Sequence, residues 1–364
     1  MADYSSKKVC LLGAGSYGTA VARIVASNIR RHNDKFHPSL NLWVRRAELA
    51  NQINATNENS QYLPGASLPS NLIASTDVES VVKGADVIVI GIPHQYIDER
   101  IIDTIQQQSN PNAETIHVVS LAKGIYMENV NLVRVSERLN QKLNGGSNNN
   151  DSRSQRFVIS VLMGANVYDQ MGRDEFAEVT LGCPTMDSQL YDLFNDMNRF
   201  HVSMTDDVLG VEFCAVLKNV VALGVGYAGG LGLGSNTKAA IIRRGLKEVI
   251  KFAKTFGEDV KDETFFESAG IADLMTTCFA GRGQRLAAAF VKDERGVGWA
   301  DLEKEVLNGM QIPDWHNVQM VYKFLDAEGR TGDFPFFSTV YKIGFTKVDP
   351  YQIVEVLKTK HEVI

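Results

Sequence analysis

Three closely spaced glycines, two lysines in unusual surroundings and an aspartate–threonine pair are the residues of this chain that could do chemistry. Residues 9–19 read Val-Cys-Leu-Leu-Gly-Ala-Gly-Ser-Tyr-Gly-Thr, and apolar-spaced Ala20, Val21, Ile24 and Val25 follow at once. A strand, a tight turn and a helix start carrying Gly13, Gly15 and Gly18 have the spacing of a dinucleotide-binding loop. Gly13 lets the chain turn, Gly15 lets backbone approach a pyrophosphate, and Gly18 lets the helix sit close to the strand. With Ala14, Ser16 and Tyr17 between them, the loop offers free N–H groups and the positive end of a helix dipole to phosphate oxygens.

The second group lies far downstream. Residues 208–233 contain only two charged side chains, Glu212 and Lys218, and Lys218 sits in the apolar run Val216-Leu217-Lys218-Asn219-Val220-Val221. Burial disfavours an ammonium ion, so this amine is expected to titrate nearer neutrality and to accept a proton from an alcohol. A lysine that snorkels its amine to the surface is the structural alternative. Neighbouring Asn219, polar in the same apolar setting, favours a site. Lys123 follows the run 116–121, at the carboxyl end of an expected sheet strand where ligand residues gather, although a solvated loop lysine fits that position too. Asp273 and Thr277 stand four apart on one helix face, where Asp273 partners a lysine or caps its helix. Arg282, between Gly281 and Gly283, is of the residue type that grips phosphate as a bidentate fork.

Alternating strand-like and helix-like segments must position these groups. Strands are expected at 9–12, 40–44, 71–75, 86–93, 116–121, 157–162 and 200–204, with a polar break at 30–39 and an exposed polar loop at 144–156. The pattern predicts an α/β fold, an N-terminal doubly wound, Rossmann-type parallel sheet. Beyond residue 206 the segments are long and helical (208–227, 236–256, 271–278, 286–292, 301–307, 318–325 and 351–360). The expected organisation is a dinucleotide-binding domain at 1–206 and an all-helical substrate domain at 207–364, covering the strand ends where such sheets bind ligands.

Composition narrows the partners. The 364 residues are 44% hydrophobic and 22% charged, as in soluble globular proteins, and are long enough for two domains. A net charge of −6, without any long basic block, argues against a nucleic-acid surface. Cys10, Cys183, Cys214 and Cys278 are widely spaced in apolar surroundings, which predicts a reducing compartment and neither disulfides nor a metal site. No targeting signal is legible at either end. The apolar stretch 220–233 reads as too short for a bilayer span, so the expectation is a cytoplasmic protein without membrane association.

Taken together, several blocks resemble the NAD-dependent glycerol-3-phosphate dehydrogenase family in its eukaryotic cytosolic form. They are the glycine loop at 13–18, Tyr62-Leu63-Pro64-Gly65, Pro93-His94-Gln95-Tyr96, Lys123-Gly124, Gly164-Ala165-Asn166, Leu217-Lys218-Asn219-Val220, Asn236-Thr237-Lys238-Ala239-Ala240 and Asp273-Leu274-Met275-Thr276-Thr277-Cys278, in family order. The resemblance implies hydride transfer between C2 of sn-glycerol 3-phosphate and a nicotinamide ring, giving dihydroxyacetone phosphate. It implies Lys218 as general base, with Lys123 and Asp273 in the catalytic group and Lys123, Asn219, Thr277, Arg282 and Gly283 at the substrate. Cofactor contacts would come from residues 13–18, Tyr96, Lys123, Tyr168, Arg282 and Gln311. A homodimer is implied as well. A related 2-hydroxy acid or 6-phosphogluconate type of dehydrogenase shares the expected layout but not the Asp-Leu-Met-Thr-Thr block. A diverged paralogue that holds dinucleotide with weak or altered turnover is the other alternative.

Four positions depart from the family pattern. Gly283 replaces an asparagine, removing a donor to the phosphate that would contribute roughly 1.5–3 kcal/mol of binding. Gln311 replaces a lysine or serine, Pro313 replaces a glutamine, and Tyr168 replaces a small residue near the nicotinamide. Arg45 and Arg46 follow the second strand, where an acidic residue often accepts the ribose 2′-hydroxyl of NAD. Arginine there could instead pair with the 2′-phosphate of NADP, and NAD is the expected cofactor from the resemblance.

Overall fold

A computed structural model describes residues 6–145, 156–310 and 312–359. Most of the polar stretch expected as a loop, and Gln311, therefore lie outside the described residues. The chain divides into two compact units. The first comprises Met1–Lys123 with Arg134–Val208, and the second Gly124–Val133 with Leu209–Ile364.

The strands in chain order are β1 (Lys7–Leu12), β2 (Phe36–Trp43), β3 (Leu72–Ser75), β4 (Val87–Ile90), β5 (Thr115–Ser120), β6 (Ile125–Glu128), β7 (Asn131–Arg134), β8 (Arg156–Met163), β9 (Ala177–Gly182) and β10 (Phe200–Thr205). Among the described residues, eight of them form one sheet in the order β10-β9-β8-β5-β4-β1-β2-β3. The central strands are continuously apolar because helices cover both faces. All four residues of β4, Val-Ile-Val-Ile, are buried, and Val9 to Leu12 of β1 are fully enclosed. The helix Ser16–Arg31 turns Ala20, Val21, Ile24, Val25 and Ile29 inward, and it ends on Arg30 and Arg31 beside its negative pole.

Two features of this sheet depart from the sequence reading. β2 begins at Phe36, inside the expected polar break. Its register against β1 jumps from Lys7 opposite Phe36 to Val9 opposite Leu40, and Pro38, which has no N–H to give a ladder, falls in that irregular stretch. β9 escaped the pattern entirely. It pairs antiparallel with β8 and parallel with β10, so the sheet is mostly parallel with two reversed strands.

Among the described residues the second unit is helical apart from the two-stranded ribbon β6–β7, whose Met127 and Leu132 pack on the helical core. That core surrounds the helix Val208–Gly230, buried from Gly210 to Ala228. At 23 residues this helix is long and apolar enough to cross a membrane, which corrects the shorter stretch read from sequence. However, 89% of its apolar window is buried inside the fold, as in a core helix. Gly226 permits the close packing: a Cβ there would lie 2.4 Å from the carbonyl oxygen of Gln284.

A further helix, Pro335–Phe345, also went unread; its Phe-Pro-Phe-Phe opening carries no helical spacing. Glu248 ties its first turn down by accepting from the N–H groups of Phe336 and Phe337 at 2.8 and 2.9 Å. Burial pushes the Glu248 carboxyl up to about 7 from its ordinary 4.5, the two N–H donors opposing it. A raised carboxyl adds stability in full below about pH 4.5 and loses it as pH climbs through 7. Urea unfolding across that window should show the wild type losing stability relative to Glu248→Gln. Parallel pH profiles for the two proteins would overturn the assignment.

Candidate active site

In the first unit the glycine turn joins β1 to the helix Ser16–Arg31. Gly13 has φ +114, in the region that favours glycine, and donates its N–H to the carbonyl of Trp43 at 3.1 Å. A Cβ on Gly18 would lie 2.4 Å from the carbonyl oxygen of Gly13, so a side chain there would force helix and turn apart. Gly15 is different: a Cβ on it would meet no protein atom within 4 Å. That open space lies at the residue before the helix, whose first N–H groups have no intrahelical partner. A tight turn, an unobstructed Gly15 and a helix N-terminus together fit the pyrophosphate of a dinucleotide.

The turn is held by Asn59, fully buried, which donates to the carbonyl of Ala14 at 3.0 Å and to the hydroxyl oxygen of Thr19 at 2.9 Å. The sequence carried no signal for this role, which exists only through packing. Around it, two of the sequence blocks converge on a third. Tyr17 donates to the side-chain oxygen of Asn166 at 3.0 Å, and Lys123 donates to the carbonyl of Gly164 at 2.9 Å. Lys123 is half-buried just past the end of β5. Tyr168, partly buried, opens a short helix and packs on the first unit's core. Tyr96 is 53% exposed on the turn after β4. Arg45 and Arg46 are exposed after β2, and Arg46 bonds to Gln61.

In the second unit the structure brings together Lys218, Asp273 and Thr277. Lys218 is 7% exposed on the long core helix, and Asp273 is 3% exposed. The lysine ammonium is ion-paired with the Asp273 carboxylate and also donates to the Thr277 hydroxyl oxygen at 2.8 Å. The Thr277 hydroxyl in turn donates to the carbonyl of Asp273 at 2.7 Å, the i to i+4 contact of a helix. Of the two readings of Asp273, the structure bears out the partnership with a lysine. A π-turn at Ser268–Ala272 launches the helix Asp273–Ala280 and sets Asp273 at its start. Gly270 is required there, since a Cβ would lie 2.3 Å from the carbonyl oxygen of Phe265. Asn219 is buried beside Lys218 on the same helix. Burial pushes the Cys278 thiol up to about 12, which removes it as a nucleophile.

Arg282 opens the next helix, Arg282–Lys292, with an exposed side chain. Gly283 does not leave a void where a longer side chain is absent: a Cβ there would lie 2.2 Å from Oδ1 of Asp314. Asp314 starts the helix Asp314–Ala327 and was not singled out from sequence. Its segment is anchored by Glu303, buried, which accepts from the N–H of Ile312 at 3.1 Å and the indole N–H of Trp315 at 2.9 Å. Burial holds the Asp314 carboxyl above the usual carboxylate range. Glu303 adds to that effect, and the positive charges of Lys218 and Arg282 oppose it. Among the described residues no group of three His, Cys, Asp or Glu side chains could hold a metal ion.

A glycine-turn sheet of this topology and a buried lysine–carboxylate pair define a dinucleotide-dependent oxidoreductase. Comparison with known proteins narrows this. The family model for the N-terminal region of NAD-dependent glycerol-3-phosphate dehydrogenase matches residues 8–189, and that for the C-terminal region matches residues 207–355. The chain is 39% identical over 347 residues to the mouse protein named cytoplasmic NAD(+) glycerol-3-phosphate dehydrogenase, covering 93% of this chain and 94% of that one. It is 36% identical over 382 residues to the probable glycerol-3-phosphate dehydrogenase 2 of Caenorhabditis elegans, covering 100% of this chain and 92% of the relative. Among solved structures, the glycerol-3-phosphate dehydrogenase of Saccharomyces cerevisiae matches with a TM-score of 0.87 at 32% identity, over 98% of this chain and all of that one. The chain belongs to the NAD-dependent glycerol-3-phosphate dehydrogenase family.

Proposed function

We propose that this chain interconverts sn-glycerol 3-phosphate and dihydroxyacetone phosphate with Lys218 as the acid–base group at the C2 oxygen. The observation that carries this is the buried cluster of Lys218, Asp273 and Thr277. In alcohol oxidation the amine of Lys218 takes the hydroxyl proton; in the reverse direction the ammonium returns it to the oxygen of the reduced carbonyl. Asp273 and Thr277 hold the nitrogen in one place, so the proton moves along a fixed line. Lys123, Asn219 and Thr277 orient the substrate, and Arg282 meets its phosphate, the chemistry for which a guanidinium fork is suited. Residues 13–18 hold the dinucleotide, with Tyr96, Lys123, Tyr168, Arg282 and Gln311 as its remaining contacts. When bound, the nicotinamide supplies or accepts the hydride at C2.

The assay that tests the reading is NADH oxidation with dihydroxyacetone phosphate, run beside glyceraldehyde 3-phosphate. Turnover of the first alone is expected. No turnover of either, or equal rates, would overturn it. NAD is the proposed cofactor, supported by the family model and by the names of the mouse and human relatives. A comparison of NADH with NADPH in the same assay is expected to favour NADH, and a large preference for NADPH would transfer the weight to Arg45 and Arg46. The names of the same relatives support a cytoplasmic location. Homodimer assembly and a place in carbohydrate and glycerolipid metabolism complete the proposal, with sedimentation as the check on the first.

A further inference from the structure

We infer that Asp314 is a positioning residue for charge that sets how tightly this protein holds an anionic group at the Arg282 end of its site. The inference rests on the proposed binding of substrate phosphate by Arg282. Three observations meet at this position. The Asp314 carboxyl fills the volume over Gly283, its Oδ1 lying 2.2 Å from where a Cβ at 283 would stand, so the backbone next to Arg282 faces an acid. Asp314 is buried, at 9% exposure, and the groups acting on it are Lys218 and Arg282 as cations and Glu303 as an anion. Its segment is fixed by the bonds that Ile312 and Trp315 give to Glu303, so the carboxyl is not carried on a loose loop.

A carboxylate held in the field of Lys218 and Arg282 competes with any incoming anion for the same positive charge. For the buried Lys218 and Asp314 that competition is stronger than in water, because their charges are poorly screened. Placing an acid at the anion end lowers affinity for dianionic phosphate, substrate and inorganic phosphate alike. Asp314 does not touch the reacting carbon or proton in this scheme. Its influence falls first on substrate binding.

The test is a comparison of wild type with Asp314→Asn, which keeps the shape and removes the charge. The Michaelis constant for dihydroxyacetone phosphate and the inhibition constant for inorganic phosphate are both expected to fall about tenfold, with kcat changing by less than either. A merely structural role for Asp314, as an acid at a helix start, would move the melting temperature but not the phosphate inhibition constant. As a second variant, Gly283→Asn alone should destabilise the fold through its clash with Asp314. Asp314→Gly alone removes the same charge without adding a donor at 283 and should show the same tighter phosphate inhibition, which keeps the idea testable if Asp314→Asn fails to fold. An unmoved phosphate inhibition constant in whichever Asp314 variant folds overturns this inference alone. If the wild type does not reduce dihydroxyacetone phosphate, the functional reading falls and takes this inference with it.

Discussion

Lys218→Ala should reduce dihydroxyacetone phosphate about 10²–10⁴-fold more slowly than the wild type, the range lost when a positioned acid–base group is removed. The substitution does two things, and they can be separated. It removes the proton carrier, and it leaves Asp273, 3% exposed, without its ammonium partner. Breaking a buried pair from one side costs about 3–5 kcal/mol, because the surviving charge stays in a low-dielectric place. A lower melting temperature should therefore accompany the lost rate. The double substitution Lys218→Met with Asp273→Leu removes both charges, and it should recover much of the stability while leaving the rate low. NADH affinity, which the proposed role of residues 13–18 predicts to be little changed, is the internal control. Retention of the wild-type rate in Lys218→Ala would remove this lysine from the mechanism.

Gly18→Val and Gly15→Ala should fail in different ways. At Gly18 the added carbon would lie 2.4 Å from a backbone oxygen of Gly13. Neither group is a flexible side-chain end, so the helix start must shift, with an overpacking cost of about 1–3 kcal/mol or more. Loss of dinucleotide binding and a lowered melting temperature are expected together. At Gly15 the backbone is at φ −70 and the added carbon meets no protein atom, so the fold should be unaffected. The methyl group would instead stand where the pyrophosphate approaches. The expected result is a wild-type melting temperature with NADH affinity weakened at least about tenfold. Titration calorimetry alongside thermal melts reads both. Unweakened NADH binding in Gly15→Ala would move the cofactor away from this turn.

What could be read in advance follows from what each signal depends on. The runs that became β1, β4 and β5 were legible because burial on both faces makes a strand continuously apolar. The lysine, aspartate and threonine were legible as individually odd residues, and a lysine–Asp273 partnership could be named. Their meeting across 55 positions is a tertiary fact. β9 was hidden because Ala-Glu-Val-Thr-Leu-Gly mixes polar with apolar residues. The ribbon was hidden for a similar reason, with Glu128 exposed within it and Val130 at its turn. The early start of β2 was masked by His37 and Pro38, which argue against a ladder that is in fact irregular there. Asn59 and Asp314 had no local signature at all. Each matters through what it fills: the space beneath the glycine turn in one case, the absence of a side chain at 283 in the other.

The ribbon's membership in the second unit has a consequence for biosynthesis. The chain leaves the first unit after Lys123, returns after Val133 and leaves again after Val208. During vectorial synthesis Met127 and Leu132 thus emerge well before the helices they pack on, while β8, β9 and β10 still have to complete the sheet. Neither unit can mature as an uninterrupted stretch in order of translation. A fragment beginning at residue 209 would lack the ribbon and expose the apolar surface it covers. For recombinant dissection, the ribbon must be supplied along with the helices, for example by a linker that joins 124–133 directly to 209.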